Sequence, residues 1–418
     1  MTSDYTAEAD QSGLESIKIH LIAVVLGAGV GFISIAFLFA VLSLKNLIWT
    51  TDHVRTSAIL VFGICTLGGL VVGFLNHIAE KSRNHAHDLT EAISDMESVE
   101  TKQAPPARVI FGRATLGIAS LGFGGPVGPE APLIALVAQL SSRLSHILRI
   151  TQARVVELSV AGSLGVLFGV PLVLAGIESE EKQERKNLGQ RLVARGPEIL
   201  AAISSLIVIT KLLPEIGIHQ FTSEQSTNLE IGIDLLWVAL IAIVASALGR
   251  FVIVSMPKLR SIVVEKLPGG DIPAGLISGA VLGLSALATP LILFSGHHEI
   301  QELLDSSKSV GQLIAITALK ILVLVVCLAG GWYGGQIFPL AFIGAGTALV
   351  VGELVGSSAT LSLVAAGFVA ASAVGIRRPL LALILGFVLF PQTTWLAMLL
   401  AAAISISMLT KRPVSLEH

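Results

Sequence analysis

Charge is scarce in this chain of 418 residues. Asp, Glu, Lys and Arg together make up 13% of it, against about 25% in ordinary soluble domains. With 53% hydrophobic residues beside so few charges, most of the surface must be solvated by lipid, and no stretch is left over for a soluble catalytic domain. The net charge of -2 gives no case for a nucleic-acid partner and offers no polybasic arm for anionic lipid. There are two cysteines. Both, Cys65 and Cys327, lie inside apolar runs, where a thiol behaves as a small hydrophobe, so no disulfide framework is expected. The stretch 1–17 lacks the basic start and cleavage site of a secretory signal and reads as a solvated cytoplasmic tail.

No metal or cofactor signature is present. His298-Glu299-Ile300-Gln301-Glu302 lacks the second histidine of His-Glu-x-x-His, and no Gly-x-Ser-Gly or Gly-x-Gly-Asp sequence supports a membrane-embedded enzyme. No enzymatic activity, metal or cofactor is expected.

Apolar runs near the ~20-residue length that spans a bilayer recur from end to end. They fall near 19–49, 57–79, 107–123, 128–149, 151–181 and 196–213, and again near 232–256, 273–294, 310–330, 336–355, 359–376 and 379–410. The reading is an all-α polytopic membrane protein of two halves, residues 18–213 and 232–413, divided by a polar linker over 214–231. Residues 414–418 form a short tail, with Leu416-Glu417-His418 read as a tag remnant. Arg143, Arg149 and Arg154 precede the 151–181 run, and Lys182, Arg185, Lys186, Arg191 and Arg195 follow it. The positive-inside rule puts both flanks in the cytoplasm.

Several runs are broken by Gly and Pro, which lipid tolerates only where freed backbone groups line a cavity or meet a ligand. Such breaks at corresponding places in two halves point to a transport site. Here Gly128-Pro129-Glu130-Ala131-Pro132-Leu133 aligns without gaps with Gly335-Gln336-Ile337-Phe338-Pro339-Leu340, with Gly124-Gly125 and Gly330-Gly331 upstream. The pattern predicts an inverted repeat of broken, re-entrant helices.

A helix N-terminus exposes unbonded N–H groups and about half a positive charge, so it can hold an anion without a formal cation. Proline in the first turn and glycine beside it suit such a start. Glu130 would place a carboxylate where the anion binds, so the two should compete. The alternative is a glutamate that merely complements its helix dipole near the headgroups. Acids inside membranes default to function, which favours the first reading.

Gly128-Pro129-Glu130-Ala131-Pro132 resembles the Gly-Arg/Lys-Glu-Gly-Pro motif of the CLC chloride channels and proton/chloride exchangers, whose glutamate is the external gate. Gly335-Gln336-Ile337-Phe338-Pro339 resembles the family's second-half Gly-x-Phe-x-Pro. Phe168-Gly169-Val170-Pro171-Leu172 resembles its Phe-Asn-Ala-Pro-Leu, and Arg378-Pro379-Leu380 its Arg-Ala-Pro-Leu. The resemblance spans residues 19–413. It implies a CLC-type fold, transport of chloride or another small anion with protons across a bacterial inner membrane, and a homodimer in membrane lipid. It also implies that Gly128, Ala131, Gly335, Ile337 and Phe338 contribute to anion binding and that Glu130 gates.

The departures mark a divergent bacterial branch. Pro129 replaces the motif's basic residue, Ala131 its second glycine, and Ile337 stands where its phenylalanine would be. Asn84 aligns with the serine of the family's Gly-Ser-Gly-Ile-Pro motif, with His85 beside it. Either can donate to an anion, or the segment can cap an interfacial helix. The family's central tyrosine is absent, since the two tyrosines are Tyr5 and Tyr333. Lys320 and Arg113 sit in apolar runs, where a cation either attracts anions or snorkels and pairs with carbonyls. Two rivals of a proton-coupled exchanger are a passive anion channel and a fluoride/proton antiporter. The fluoride branch carries Gly-Gly-Glu-Val-Thr-Pro in the second half, unlike Gln336-Ile337-Phe338 here.

Counted from Pro171, Glu181 falls on the family's internal proton glutamate, with Glu180 and Glu178 near it. The other reading of this acidic run is a solvated linker. If Glu181 takes protons from the cytoplasm, Glu181→Gln should leave anion flux in liposomes largely intact and cut proton movement several-fold. Unchanged proton pumping would remove Glu181 from the mechanism.

Overall fold

A computed structural model of the chain describes residues 2–49, 57–79, 106–148, 150–168, 195–213, 220–223, 229–267 and 270–410. The helices of the first half are α1 (Thr2–Trp49), α2 (Ala58–Ala79), α3 (Ala107–Gly122), α4 (Glu130–Ser142), the single turn α5 (Ser145–Leu148), α6 (Gln152–Phe168) and α7 (Gly196–Leu212). The second half comprises α8 (Ile233–Lys266), α9 (Asp271–Ala286), α10 (His297–Asp305), α11 (Val310–Ala329), α12 (Ile337–Val355), α13 (Thr360–Gly375), α14 (Pro379–Leu389) and α15 (Trp395–Thr410). Among the described residues, six spans are long and apolar enough to cross a membrane. Leu47 and Ile59 are each 82% exposed, which water would penalise and lipid does not. Buried hydroxyls return to carbonyls of the preceding turn, as Ser34 does to Val30 and Thr347 to Ile343, both at 2.8 Å. That satisfies them without a second helix.

The inverted repeat is visible in the helix boundaries. α2 ends at Ala79 and α9 at Ala286, α3 at Gly122 and α11 at Ala329, α6 at Phe168 and α13 at Gly375, while α4 starts at Glu130 and α12 at Ile337. Every pair has the same separation along the chain, and it is the separation of Gly128 from Gly335. The turns after α3 and α11 match bond for bond. Gly124 donates to the carbonyl of Leu121 at 3.3 Å and Gly125 to that of Ser120 at 2.9 Å; Gly331 donates to Leu328 at 3.2 Å and Trp332 to Cys327 at 3.0 Å. Gly124 and Gly331 adopt φ of +88° and +89°, the left-handed conformation that ends a helix in a Schellman motif and that glycine enters without steric cost.

The described residues gather into two compact units. One is drawn from the described residues within Met1–Leu38, Ser94–Pro106 and Leu133–Ile218, the other from those within Phe39–Ile93, Ala107–Pro132 and His219–His418. The first is built on a core of Ala23, Leu26, Val155, Leu158 and Ala201 from α1, α6 and α7, with the Ser205 hydroxyl donating to the Gly162 carbonyl at 2.7 Å. The second contains the paired loops around Gly128 and Gly335. Within it α2 and α9 pack closely, where the backbone of Gly69 and Gly73 meets that of Gly275 and Gly279. Small residues allow this approach, the usual means of helix association in lipid.

Boundaries differ from the hydropathy reading where polar or proline residues intervene. The run 379–410 divides into α14 and α15, because Pro391 cannot continue a helix and holds Phe390 extended. The run 128–149 starts at Glu130 and breaks after Ser142. α8 runs past the apolar stretch to Lys266 with Pro257 inside it. α10 has no counterpart among the expected runs, being amphipathic and buried only through Ile300 and Leu303.

A Cβ at Gly275 would fall within 2.8 Å of the Gly73 Cα and still closer to the Gly69 carbonyl. Those are backbone atoms that cannot swing aside. Gly275→Val should therefore separate α2 from α9 and cost about 1–3 kcal/mol, read as a lower unfolding temperature of the detergent-solubilised protein.

Candidate functional site

The site is built where two chain breaks meet. The Gly128 N–H donates to the Gly335 carbonyl at 2.8 Å, and the Gly335 N–H donates to the Gly128 carbonyl at 2.7 Å. This isolated antiparallel bridge joins a residue to its own repeat mate, two residues ahead of α4 and two ahead of α12. It brings the first turns of both helices to one place. Pro129 and Pro132 remove N–H groups that would have had no helical acceptor, and Pro339 does the same in α12. Among the described residues, the N–H groups of Ala131, Ile337 and Phe338 find no backbone acceptor, leaving donors available to a ligand.

The Glu130 side chain lies in this junction. It is fully buried, and neither carboxylate oxygen has a hydrogen-bond partner of good geometry. The donor that bears on it is its own backbone N–H. A Cβ added to Gly128 or to Gly335 would collide with Oε2 of this carboxylate. The two glycines thus form the walls between which the carboxylate fits.

Of the residues singled out in the sequence, Gly128, Glu130 and Gly335 touch one another. Ala131 and Ile337 are wholly buried beside them, and Phe338 is nearly so. Asn84, His85 and Glu181, together with Glu178 and Glu180, lie outside the described residues. Lys320 takes the carbonyl-pairing alternative. Its ammonium donates to Phe294 at 2.8 Å, Ile292 at 3.1 Å and Leu293 at 3.5 Å.

Four neighbours of the site were given no such role by the sequence. The Ser120 hydroxyl accepts the Tyr333 N–H at 2.9 Å, tying the end of α3 to the opposite loop. Ser372 donates to the Ile337 carbonyl at 3.3 Å. Gln336 is buried at the N-cap of α12. The His297 ring stacks on Phe338 with centroids 4.6 Å apart. His297 adjoins the incomplete metal motif that begins at His298. The repeat offset is the signal that could have drawn attention to Gln336, the mate of Pro129, but nothing local marks Ser120 or Ser372.

A family model described as voltage gated chloride channel matches residues 68–411. The chain belongs to the CLC family. This CLC protein is 28% identical over 399 residues to YfeO of Escherichia coli, a protein named for ion transport, covering 92% of this chain and 90% of that one. Among solved structures it is similar to a slow cyanobacterial Cl-/H+ antiporter, with a TM-score of 0.76 and 18% identity over 94% of this chain and 95% of the other. It is also similar to a CLC-type fluoride/proton antiporter, with a TM-score of 0.74 and 18% identity over 94% and 96% of the two chains. Identities this low establish the shared fold and no more. The CLC protein is a multi-pass inner-membrane protein of the anion-transporting family.

The space filled by the Glu130 carboxylate is the space an anion would take against the same donors. A branched side chain at Gly335 should exclude both. Gly335→Val is expected to weaken halide binding by about tenfold or more, roughly 1.4 kcal/mol per tenfold, measured by calorimetry. Unchanged affinity would leave Gly335 a packing role alone.

Proposed function

We propose that this CLC protein exchanges chloride, or a related halide, for protons, with Glu130 as both gate and proton carrier. The observation that carries the reading is the fully buried Glu130 carboxylate, without a good partner, set between the two repeat-related glycines at paired helix starts. A structural carboxylate at full burial would be expected to hold a cation or several donors. This one occupies a position suited to a ligand of the same charge. The ionised carboxylate closes the site by taking the anion's place. Protonation removes the charge that holds it there, and the side chain swings aside to admit the anion.

Two antiporters of like fold, named for coupled anion and proton movement, show that this architecture accommodates exchange. Passive flux through the same gate remains the competing reading. A protonatable group on the cytoplasmic side, for which Glu181 is the candidate, would complete the route. A homodimer with one pathway per subunit is the expected assembly. The N–H groups of Ala131, Ile337 and Phe338 supply the anion contacts in place of the serine and tyrosine hydroxyls of the main branch.

Liposome efflux of chloride, fluoride and nitrate, recorded with a pH electrode, tests all of this. In wild type, acid should raise anion flux, since lowering pH populates the protonated, open form. An imposed anion gradient should drive protons uphill. Glu130→Gln imitates the protonated form, and Glu130→Ala removes the plug. Both should abolish proton coupling and leave anion flux with little pH dependence. A Glu130→Ala protein that still pumps protons would overturn the assignment, and a wild type that passes anions without protons would favour the channel.

A further inference from the structure

We infer that a cavity bounded by the end of α1, the start of α2 and α10 holds the headgroup of a phospholipid that carries a primary ammonium beside its phosphate. The cavity has a volume of about 440 Å³, the size of a small-ligand site. Lys45 and Trp49 line it from α1 and Ala58 from α2. The first two stand at the end of the apolar span Ile17–Trp49 and the third at the start of the span Ala58–Ile78. Span ends lie at the depth of lipid headgroups, where tryptophan is enriched.

The polar groups of the cavity carry both signs. Glu299 and Glu302 line it from α10, three residues apart and therefore on one helix face. Among the described residues, neither carboxylate makes a hydrogen bond or a side-chain ion pair. From α1, the Lys45 ammonium lies 3.9 Å from the centre of the Phe294 ring, itself part of the wall. A primary ammonium has three N–H donors for the two carboxylates, and the phosphate next to it can accept from Lys45. A quaternary ammonium has no N–H to give. A headgroup of net negative charge would meet two carboxylates for one lysine.

The wall stands ready without a ligand. The Trp49 and Phe294 rings meet edge to face with centroids 5.6 Å apart. Each is anchored from behind to the end of α3 and the turn that follows it, the Trp49 indole donating to the Gly122 carbonyl at 2.9 Å and the Phe294 N–H to the Gly124 carbonyl at 3.1 Å. The cavity also borders lipid. Leu47, Ile59 and Leu284, on the same three helix ends as the lining residues Lys45, Ala58 and Leu287, are strongly exposed. Leu287 itself lines the cavity and is 46% exposed. Acyl chains can leave along these side chains while the headgroup stays inside, and a water-soluble zwitterion gains nothing from them.

Calorimetric titration of the full-length protein in detergent with dioctanoyl phosphatidylethanolamine, phosphatidylcholine and phosphatidylglycerol tests the assignment, and it needs no transport. Phosphatidylethanolamine should bind about tenfold more tightly than the other two, the scale of one good charge-assisted hydrogen bond. Replacing both carboxylates, Glu299→Gln with Glu302→Gln, should remove that preference. Glu302 is exposed, so Glu302→Gln alone keeps the fold and should reduce the preference several-fold. Ala58→Trp, at another exposed position, should fill the mouth and exclude all three lipids. Equal binding of the three by wild type would overturn the proposal, as would an undiminished preference in the glutamine variants or unchanged binding in Ala58→Trp. Glycerophosphoethanolamine, the same headgroup without acyl chains, should bind far more weakly. Binding as tight as that of the lipid would assign the cavity to a soluble zwitterion and overturn the lipid assignment.

Discussion

A helix that stops inside a membrane frees N–H and carbonyl groups where no water can take them, and each must be bonded within the protein or held ready for a ligand. The reciprocal pair of hydrogen bonds between Gly128 and Gly335 meets that demand for two breaks at once. It satisfies the last groups of each loop with those of its repeat mate and fixes the two helix starts side by side. Everything distinctive about the site follows from this junction. The glycines must lack side chains because the Glu130 carboxylate lies between them, and the amides of Ala131, Ile337 and Phe338 find no backbone acceptor because their helices have only just begun.

The surroundings reinforce the junction from both directions. Ser120 receives the Tyr333 N–H, so the loop of the second half is tied to a helix end of the first. Trp49 donates its indole N–H to the Gly122 carbonyl at 2.9 Å, satisfying an acceptor at the end of α3. Asn76 donates to the Gly331 carbonyl at 2.8 Å. These three contacts fall at helix ends, where the helices themselves leave groups unsatisfied. Between the ends the helices rely on glycine and hydroxyl residues that return their polar groups to their own backbone.

Much of the fold was legible because lipid imposes one requirement on every span. Length and hydropathy located the helices, and the Gly/Pro breaks located the junction. The ungapped match of 128–133 to 335–340 carried the offset that also governs helix ends as far apart as Ala79 and Gly375. Where the reading went astray, local chemistry competed with hydropathy. Pro391 divides a run that is apolar on both sides, Lys258 and Arg260 ride on a helix that outlasts its apolar stretch, and α10 is too short and too polar to register as a span.

By itself, the sequence determined that the chain is a polytopic membrane protein with a repeated, broken-helix motif and a glutamate at one of its starts, because composition, proline and glycine act locally. It also determined that the second half carries isoleucine where the first has that glutamate. Only the tertiary structure decided that the Glu130 carboxylate lies against Gly335, in the opposite half of the chain, and that Lys320 closes on carbonyls of a loop rather than on an acid. Those outcomes depend on how two halves of one chain are brought together. A residue's side chain records what it can bond to, and the packing of distant segments settles which of those partners it meets.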